Sequence, residues 1–221
     1  KVTEFTKALG LSARNTYNRY CYEEGSPVSN LFLNLKYLIE RRGQVEENSY
    51  LEYIHSYGNV HLLENKAWLP LGFLADIELA DLKFNNSSFN FQNRLFRAAT
   101  GLSGSVWRSV PERTLTVTGE NVTINSKSGA GYCNYKADKA GKLIYSYEIV
   151  DAGLFCVDLD LSAKNSFSFW KNGAFVYDES LSLPQMLTVC EVQPGDQIEI
   201  RLTCKSGESG TANISAAVLN S

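Results

Sequence analysis

The sequence has no apolar run of the length that a membrane-spanning helix requires, which is roughly 18 to 20 residues. Among the 221 residues, the most apolar stretch is residues 68–80, and Pro70, Gly72, Asp76 and Glu78 interrupt it. We therefore expect that this part of the protein does not itself cross a bilayer. The chain begins at Lys1 and shows no signal-peptide pattern, so we expect it to be a fragment of a longer protein.

Residues that bind metals or carry out catalysis are also scarce. The two histidines, His55 and His61, are not in a His-x-x-x-His or His-x-Glu arrangement, and no Gly-x-Ser-x-Gly or phosphate-binding glycine loop is present. The sequence therefore predicts no metal, no cofactor and no catalytic residue. If a hairpin turns at Gly58, the two histidines are expected to lie opposite each other as a partly exposed pair.

The five cysteines lack the Cys-x-x-Cys spacing of zinc and redox sites. Four of them fall in the strand-rich half of the chain: Cys133, Cys156, Cys190 and Cys204. A disulfide in an oxidising compartment and thiols packed as small hydrophobic groups are both compatible with this arrangement.

Charge gives no general attraction to nucleic acid. The formal net charge is −3 and the isoelectric point is near 5.5, whereas binding to a phosphate backbone requires clustered positive charge. We therefore expect no nucleic-acid partner.

The N-terminal half has a mixed pattern of helix and strand. Gly58 and Asn59 separate two β-prone runs, as in a tight hairpin turn. The predicted helices cover residues 3–9 and 28–35, and the predicted strands cover residues 36–41, 50–56, 60–64 and 69–76.

The clearest helix is predicted to begin near Phe89. Its apolar residues recur at helical spacing: Phe91, Leu95, Ala98, Ala99 and Leu102. Ser87, Ser88 or Asn90 is expected to cap the start of this helix, and Gly101 its end.

Beyond residue 113 the apolar residues alternate, as in half-buried antiparallel strands. One such run contains Leu143, Tyr145, Tyr147 and Ile149, and Asn172-Gly173 predicts a tight hairpin. About eight short strands separated by turns at regular spacing predict a β-sandwich of the jelly-roll kind. The predicted fold class is α+β, with a small mixed α/β region at 1–110 and an antiparallel β-sandwich at 111–221.

Asp158-Leu159-Asp160 has the form of the Asp-x-Asp element that binds a metal and a nucleotide sugar in one class of glycosyltransferases. Here the element lies within an alternating strand, which places both carboxylates on the polar face of the sheet. That position favours a solvated sheet face over a metal site. A cross-strand Arg201 or Lys205 is expected to offset the two like charges.

Two phrases in the first half resemble a known family. Residues 65–73 read NKAWLPLGF and residues 89–96 read FNFQNRLF. They are similar to the Asn-x-x-x-Leu-Pro-Leu-Gly-Phe and Asn-Pro-Phe-x-x-Gln-Asn-x-Leu-Phe elements of the bacterial multi-pass membrane protein family YfhO, except that Asn90 stands where the family usually has proline. Upstream, Phe5, Leu9-Gly10 and residues 26–39 resemble the family's lead-in to this region.

The resemblance implies a polytopic protein of the bacterial cytoplasmic membrane, similar to glycosyltransferases that use polyprenyl-phosphate sugars to decorate cell-wall polymers such as lipoteichoic acid. The chain would then be an extracytoplasmic domain that positions a cell-wall glycan or lipid-linked sugar, with catalysis elsewhere in the parent protein. The alternative is a non-catalytic cell-surface module that binds carbohydrate or protein. A free secreted enzyme is the least favoured reading, because no set of titratable groups converges.

Four residues within the family-like phrases are the predicted binding residues: Asn65, Trp68, Gln92 and Asn93. They combine hydrogen-bonding amides with an aromatic face, which suits a sugar ring. A purely structural role for the amides, tying a loop to the start of the helix, is the competing interpretation.

Overall fold

Two antiparallel sheets face each other in the C-terminal half of the chain, and helices, a three-stranded sheet and a two-stranded sheet lie N-terminal to them in sequence. The structure is a computed structural model that describes residues 2–14, 19–22, 25–41, 47–84, 87–129, 131–161 and 165–219. Within these ranges the helices are α1 (Val2–Ala8), α2 (Pro27–Phe32) and α3 (Ser88–Thr100), with 3₁₀ turns at Ile77–Asp81 and Glu112–Thr114. The strands are β1 (Ala13–Arg14), β2 (Arg19–Tyr20), β3 (Tyr37–Glu40), β4 (Leu51–Tyr57), β5 (Val60–Asn65), β6 (Trp107–Ser109), β7 (Leu115–Glu120), β8 (Thr123–Ser128), β9 (Tyr132–Lys136), β10 (Gly141–Glu148), β11 (Gly153–Leu161), β12 (Asn165–Lys171), β13 (Ala174–Leu181), β14 (Gln185–Val192), β15 (Gln197–Cys204) and β16 (Ser209–Leu219).

The two large sheets form the predicted sandwich. The first has the strand order β13-β12-β15-β10-β7, and the second has the order β14-β11-β16-β9-β8, with β6 added beside β16. Several consecutive strands, such as β10 and β11, lie in opposite sheets, as in jelly-roll proteins. The mostly antiparallel β-fold with a few helices confirms the predicted fold class.

The inward-facing residues of both sheets make one apolar core. The alternation predicted for β10 is confirmed, since Leu143, Tyr145, Tyr147 and Ile149 are all buried. The phenol of Tyr147 donates to the carbonyl oxygen of Ile214 at 3.0 Å, so this polar group is satisfied inside the core.

Cys133, Cys190 and Cys204 are free thiols, which favours the interpretation of thiols packed as small hydrophobic groups. Cys133, Cys156 and Cys204 are buried, and Cys190 is half-buried. Burial raises the pKa of Cys190 and of Cys204 to about 11. These thiols are therefore protonated at neutral pH and behave as small hydrophobic groups.

Helix α3 confirms the predicted helix and both of its caps. The side chain of Ser87 accepts a hydrogen bond from the backbone N–H of Asn90, and Gly101 ends the helix with a φ of 70°. Phe91 and Leu95 are buried, whereas Leu102 lies beyond the helix and is exposed. The prediction that Leu102 belongs to the buried face of the helix is therefore wrong.

Two expectations for the N-terminal sheet are wrong. Residues 69–76 form no strand; the third strand of the sheet is β3, which pairs with β5. Pro70 lacks a ladder donor, and the chain instead loops away from the sheet. Tyr57 pairs with Val60 across a two-residue turn, and in this register His55 lies opposite Leu62 and His61 opposite Ser56, so the two histidines are not paired.

Candidate ligand-binding cleft

The outer face of the second sandwich sheet changes from apolar to polar along β11 and β16. In β11 the outward residues Leu154 and Cys156 are buried, and the next outward residues are Asp158 and Asp160. The apolar part lies under the N-terminal segments, where Phe89 packs on Trp107 with ring centroids 5.1 Å apart. The polar part starts where this cover ends.

Strand register places five polar or aromatic residues side by side on the open part of the face. Asp158 pairs with Ser215, and Asp160 pairs with Asn213. Asn213 in turn pairs with Tyr132 of β9. Because directly paired residues project on the same side of a sheet, Tyr132, Asn213 and Asp160 form a row across three strands, called here the polar row.

An open cleft of about 1000 Å³ lies over this face. Asp158, Asp160, Asn213 and Ser215 line its floor, and the opposite wall consists of N-terminal residues: Glu4, Lys7, Lys83 and Phe84. The Phe84 ring is 43% exposed. It is held in place by Phe5 and Phe91, whose ring centroids lie 6.0 and 5.7 Å away.

Asp158 occupies the junction between the sheet and α3. Its carboxylate accepts a hydrogen bond from the backbone N–H of Ser88 at 3.2 Å, at the positive end of the helix. Burial raises the pKa of Asp158 above its ordinary value; the Ser88 hydrogen bonds oppose this rise, and neighbouring Asp160 adds to it. The carboxyl group is thus positioned by protein contacts, whereas Asp160 is open to solvent.

The prediction that Arg201 or Lys205 lies opposite these carboxylates is wrong. Asp158 has Ser215 and Met186 as strand neighbours. Arg201 belongs to β15 in the other sheet, where its guanidinium forms an ion pair with Glu199 of the same strand at 2.6 Å. No basic residue therefore lies opposite the two aspartates in the strand pairing, and helix α3 supplies the compensating interaction for Asp158.

Gln92 and Asn93 meet around Trp107. The Gln92 side-chain oxygen accepts from the indole Nε1 of Trp107 at 2.7 Å and from Ser26 at 3.0 Å. Asn93 bonds both backbone groups of Trp107, at 2.8 and 3.1 Å. Both amides are thus engaged in protein contacts, and Gln92 is fully buried.

Asn65 lies on the three-stranded N-terminal sheet and Trp68 on the loop that follows it, and neither takes part in the Trp107 contacts. Asn65 is buried, donates to the carbonyl oxygen of Leu35 at 2.9 Å and accepts from the N–H of Ala67 at 3.1 Å. Trp68 is partly exposed and carries the Lys36 ammonium 5.1 Å from its ring centroid. Of the four predicted binding residues, Trp68 therefore has the most accessible surface.

Sequence reasoning missed Tyr132, Asn213 and Ser215. Alternation within β9 and β16 marks them as outward-facing, but alternation gives no strand partners. Among the residues that the structure describes, no group of three or more His, Cys, Asp or Glu side chains is arranged to hold a metal ion. Hydrogen bonding and aromatic contact are the chemistry that the cleft offers.

Comparison with known proteins identifies a family and a set of similar folds. A family profile described as "Bacterial membrane protein YfhO" matches residues 1–220. None of the curated proteins matches the chain significantly. Within the ranges that the structure describes, no helix is long and apolar enough to span a bilayer.

The similar solved structures include carbohydrate-binding modules. A family 35 module from Paenibacillus barcinonensis has 14% identity and a TM-score of 0.36, with coverage of 52% of this chain and 98% of that chain. A family 35 module from Clostridium thermocellum has 11% identity, a TM-score of 0.35 and the same coverage. The module TmCBM61, solved with β-1,4-galactotriose, has 13% identity and a TM-score of 0.34, covering 49% of this chain and 97% of that chain. Each likeness concerns the fold of about half of this chain.

Proposed function

Because this chain belongs to the YfhO family of bacterial membrane proteins, we propose that it is an extracytoplasmic domain that binds a cell-wall glycan in the cleft over the polar row. The parent protein would be a polytopic, glycosyltransferase-like enzyme that decorates polymers such as lipoteichoic acid. The domain would hold the acceptor glycan or the lipid-linked sugar while catalysis occurs elsewhere in the parent.

The polar row is the observation that carries this proposal. Asp160 and Asn213 offer carboxylate and amide groups to sugar hydroxyls, and Tyr132 lies beside Asn213 on the same face. Phe84 adds a fixed, partly exposed ring on the opposite wall. Sugar sites commonly combine a few oriented polar groups with aromatic surface, because a pyranose ring has both hydroxyl groups and an apolar C–H face.

The four predicted binding residues have different roles in the proposal: Trp68 could contact a ligand, and the three amide residues are structural. Trp68 offers an aromatic surface outside the cleft. Gln92 and Asn93 fix the start of α3 beside the cleft through hydrogen bonds to Leu9 and Trp107, whereas Asn65 joins β5 to the segment before β3.

Removal of polar-row side chains tests the proposal. The double variant Asp160→Ala/Asn213→Ala should bind lipoteichoic acid at least about tenfold more weakly in calorimetry, since each lost hydrogen bond contributes about 0.5–1.5 kcal/mol. Both residues are exposed, so the melting temperature should change little. A matched control is Ser166→Ala/Asp178→Ala, because these residues are exposed on the other sandwich sheet.

The outcomes separate the functional alternatives. Equal binding by the wild type and the polar-row variant would refute the cleft as the glycan site. In the full-length membrane protein, acceptor positioning predicts that the polar-row variant raises the acceptor KM more than it lowers kcat. Glycan binding without any effect on transfer would instead support the non-catalytic binding module.

A further inference from the structure

The loop between β5 and the 3₁₀ turn at Ile77–Asp81 exposes large apolar side chains. Leu71 is 95% exposed, Leu74 is fully exposed and Ile77 is 84% exposed. We call residues 67–77 the apolar loop. Leu71, Leu74 and Ile77 lie within seven residues of one another, whereas most exposed apolar residues of a folded protein are scattered singly.

The apolar loop is attached to the protein at several points. The Asn34 side chain donates to the carbonyl oxygen of Leu69. The Phe73 ring packs against Phe32 with centroids 6.3 Å apart, and the N–H of Asp76 donates to the carbonyl oxygen of Ala99 at 3.3 Å. The exposed leucines therefore project from a backbone that hydrogen bonds and ring packing hold in place.

The composition of the apolar loop suits the boundary between water and lipid. No charged residue occurs from Ala67 to Ala75. At its start, Trp68 is partly exposed, and Lys36 lies over its ring. Tryptophan and lysine beside apolar side chains are typical of the headgroup region, where the ring and the ammonium group meet water and the apolar groups enter the acyl layer.

We infer that the apolar loop inserts Leu71, Leu74 and Ile77 into the surface of a lipid bilayer. Lipid is the favoured occupant because the chain belongs to a family of bacterial membrane proteins and because Trp68 and Lys36, which are interfacial residue types, lie at the start of the uncharged run. Insertion of these side chains removes apolar surface from water without requiring a spanning helix. The inference depends on family membership and loop exposure, and it is independent of glycan binding in the cleft.

Vesicle sedimentation tests this inference on the chain as it stands. The wild type should pellet with vesicles of phosphatidylethanolamine and phosphatidylglycerol. Leu71→Ser/Leu74→Ser should weaken this partitioning at least tenfold, because two apolar side chains are lost from the buried surface. Leu71 and Leu74 have almost no packing contacts to lose, so the melting temperature should stay unchanged.

The control variant is Val150→Ser/Phe175→Ser, since both residues are exposed apolar groups on the sandwich. It should pellet like the wild type. The inference is overturned if the wild type does not pellet with vesicles, or if both variants pellet equally. It is also overturned if the wild type forms a dimer without lipid and the loop variant loses that dimer but still pellets with vesicles. A second copy of the chain would then cover the loop.

Discussion

At the scale of single residues, buried amides join segments that are distant in sequence. The side-chain nitrogen of Gln92 donates to the carbonyl oxygen of Leu9 at 2.9 Å, while its oxygen accepts from Ser26 and Trp107. One side chain thus connects α3 to the segments after α1, before α2 and in β6. Removing such a group would leave several buried partners unsatisfied, which costs more than the hydrogen bonds themselves contribute.

Asn93→Ala separates a structural role from a ligand-binding role. The variant loses both hydrogen bonds to the backbone of Trp107, so we expect a loss of about 1–3 kcal/mol in the free energy of unfolding. Urea denaturation would measure it. Asn90→Ala is the matched control, because Asn90 is exposed on the same helix. Unchanged stability of Asn93→Ala with weaker glycan binding would contradict the structural role.

Asp158→Asn should raise the melting temperature at pH 7 by a few degrees. The raised pKa of Asp158 means that its charged form is disfavoured in the folded state, so the wild type loses stability as pH rises through the folded pKa. The variant has no charge to bury, and its amide oxygen can still accept from Ser88. Its advantage should therefore shrink as pH falls through the ordinary carboxyl range near about 4.

Thermal unfolding at several pH values would measure this difference. Asp178→Asn is the control, because Asp178 is exposed on β13 and its neutralisation removes no burial penalty. An advantage of Asp158→Asn that is constant from pH 7 to acid would show that the side-chain exchange, and not the buried charge, causes it.

At the scale of elements, the turn from β8 into β9 brings the backbone unusually close to β16. A Cβ atom at Gly131 would overlap the carbonyl oxygen of Ile214. The N–H of Ile214 donates to the carbonyl oxygen of Gly131 at 3.1 Å. Gly131 immediately precedes Tyr132, so this close approach also sets where the polar row begins.

Gly131→Ala should destabilise the protein more than Gly173→Ala does. Both glycines have positive φ, 98° and 80°, but nothing lies within 4 Å of a Cβ at Gly173. We expect about 1 kcal/mol for Gly173→Ala from backbone strain, and more than about 2 kcal/mol for Gly131→Ala from strain plus overlap. Urea denaturation of both variants would test this; equal losses would show that β16 can move away from β9.

At the scale of the whole molecule, the N-terminal segments decide which part of the sandwich is accessible. Phe89 and Trp107 cover the apolar part of the outer face, and the polar part stays open beneath Phe84. The backbone N–H of Met186 donates to the carbonyl oxygen of Gly10 at 2.7 Å, which links the segment after α1 directly to β14. The cleft therefore exists only when both halves of the chain are folded together.

Local sequence patterns were sufficient for the elements whose signals are local. Helix α3, its cap at Ser87 and its end at Gly101 follow from apolar spacing and cap chemistry, and β10 follows from strict alternation. Residues 69–76 were mispredicted because apolar content alone does not distinguish a buried strand from an exposed loop. The prediction of a histidine pair is wrong because the two-residue turn at Gly58 and Asn59 offsets the strands by one residue from a turn centred on Gly58.

The amino-acid order by itself determined the fold class, the family-like phrases, the absence of a spanning apolar run and which residues of each strand face outward. These properties depend on periodicity and composition within short windows. Only the tertiary structure decided that Tyr132, Asn213 and Asp160 form one row, that Asp158 meets α3, and that Leu71 and Leu74 lack any cover. Strand pairing and burial depend on contacts between residues far apart in the chain, which no local pattern encodes.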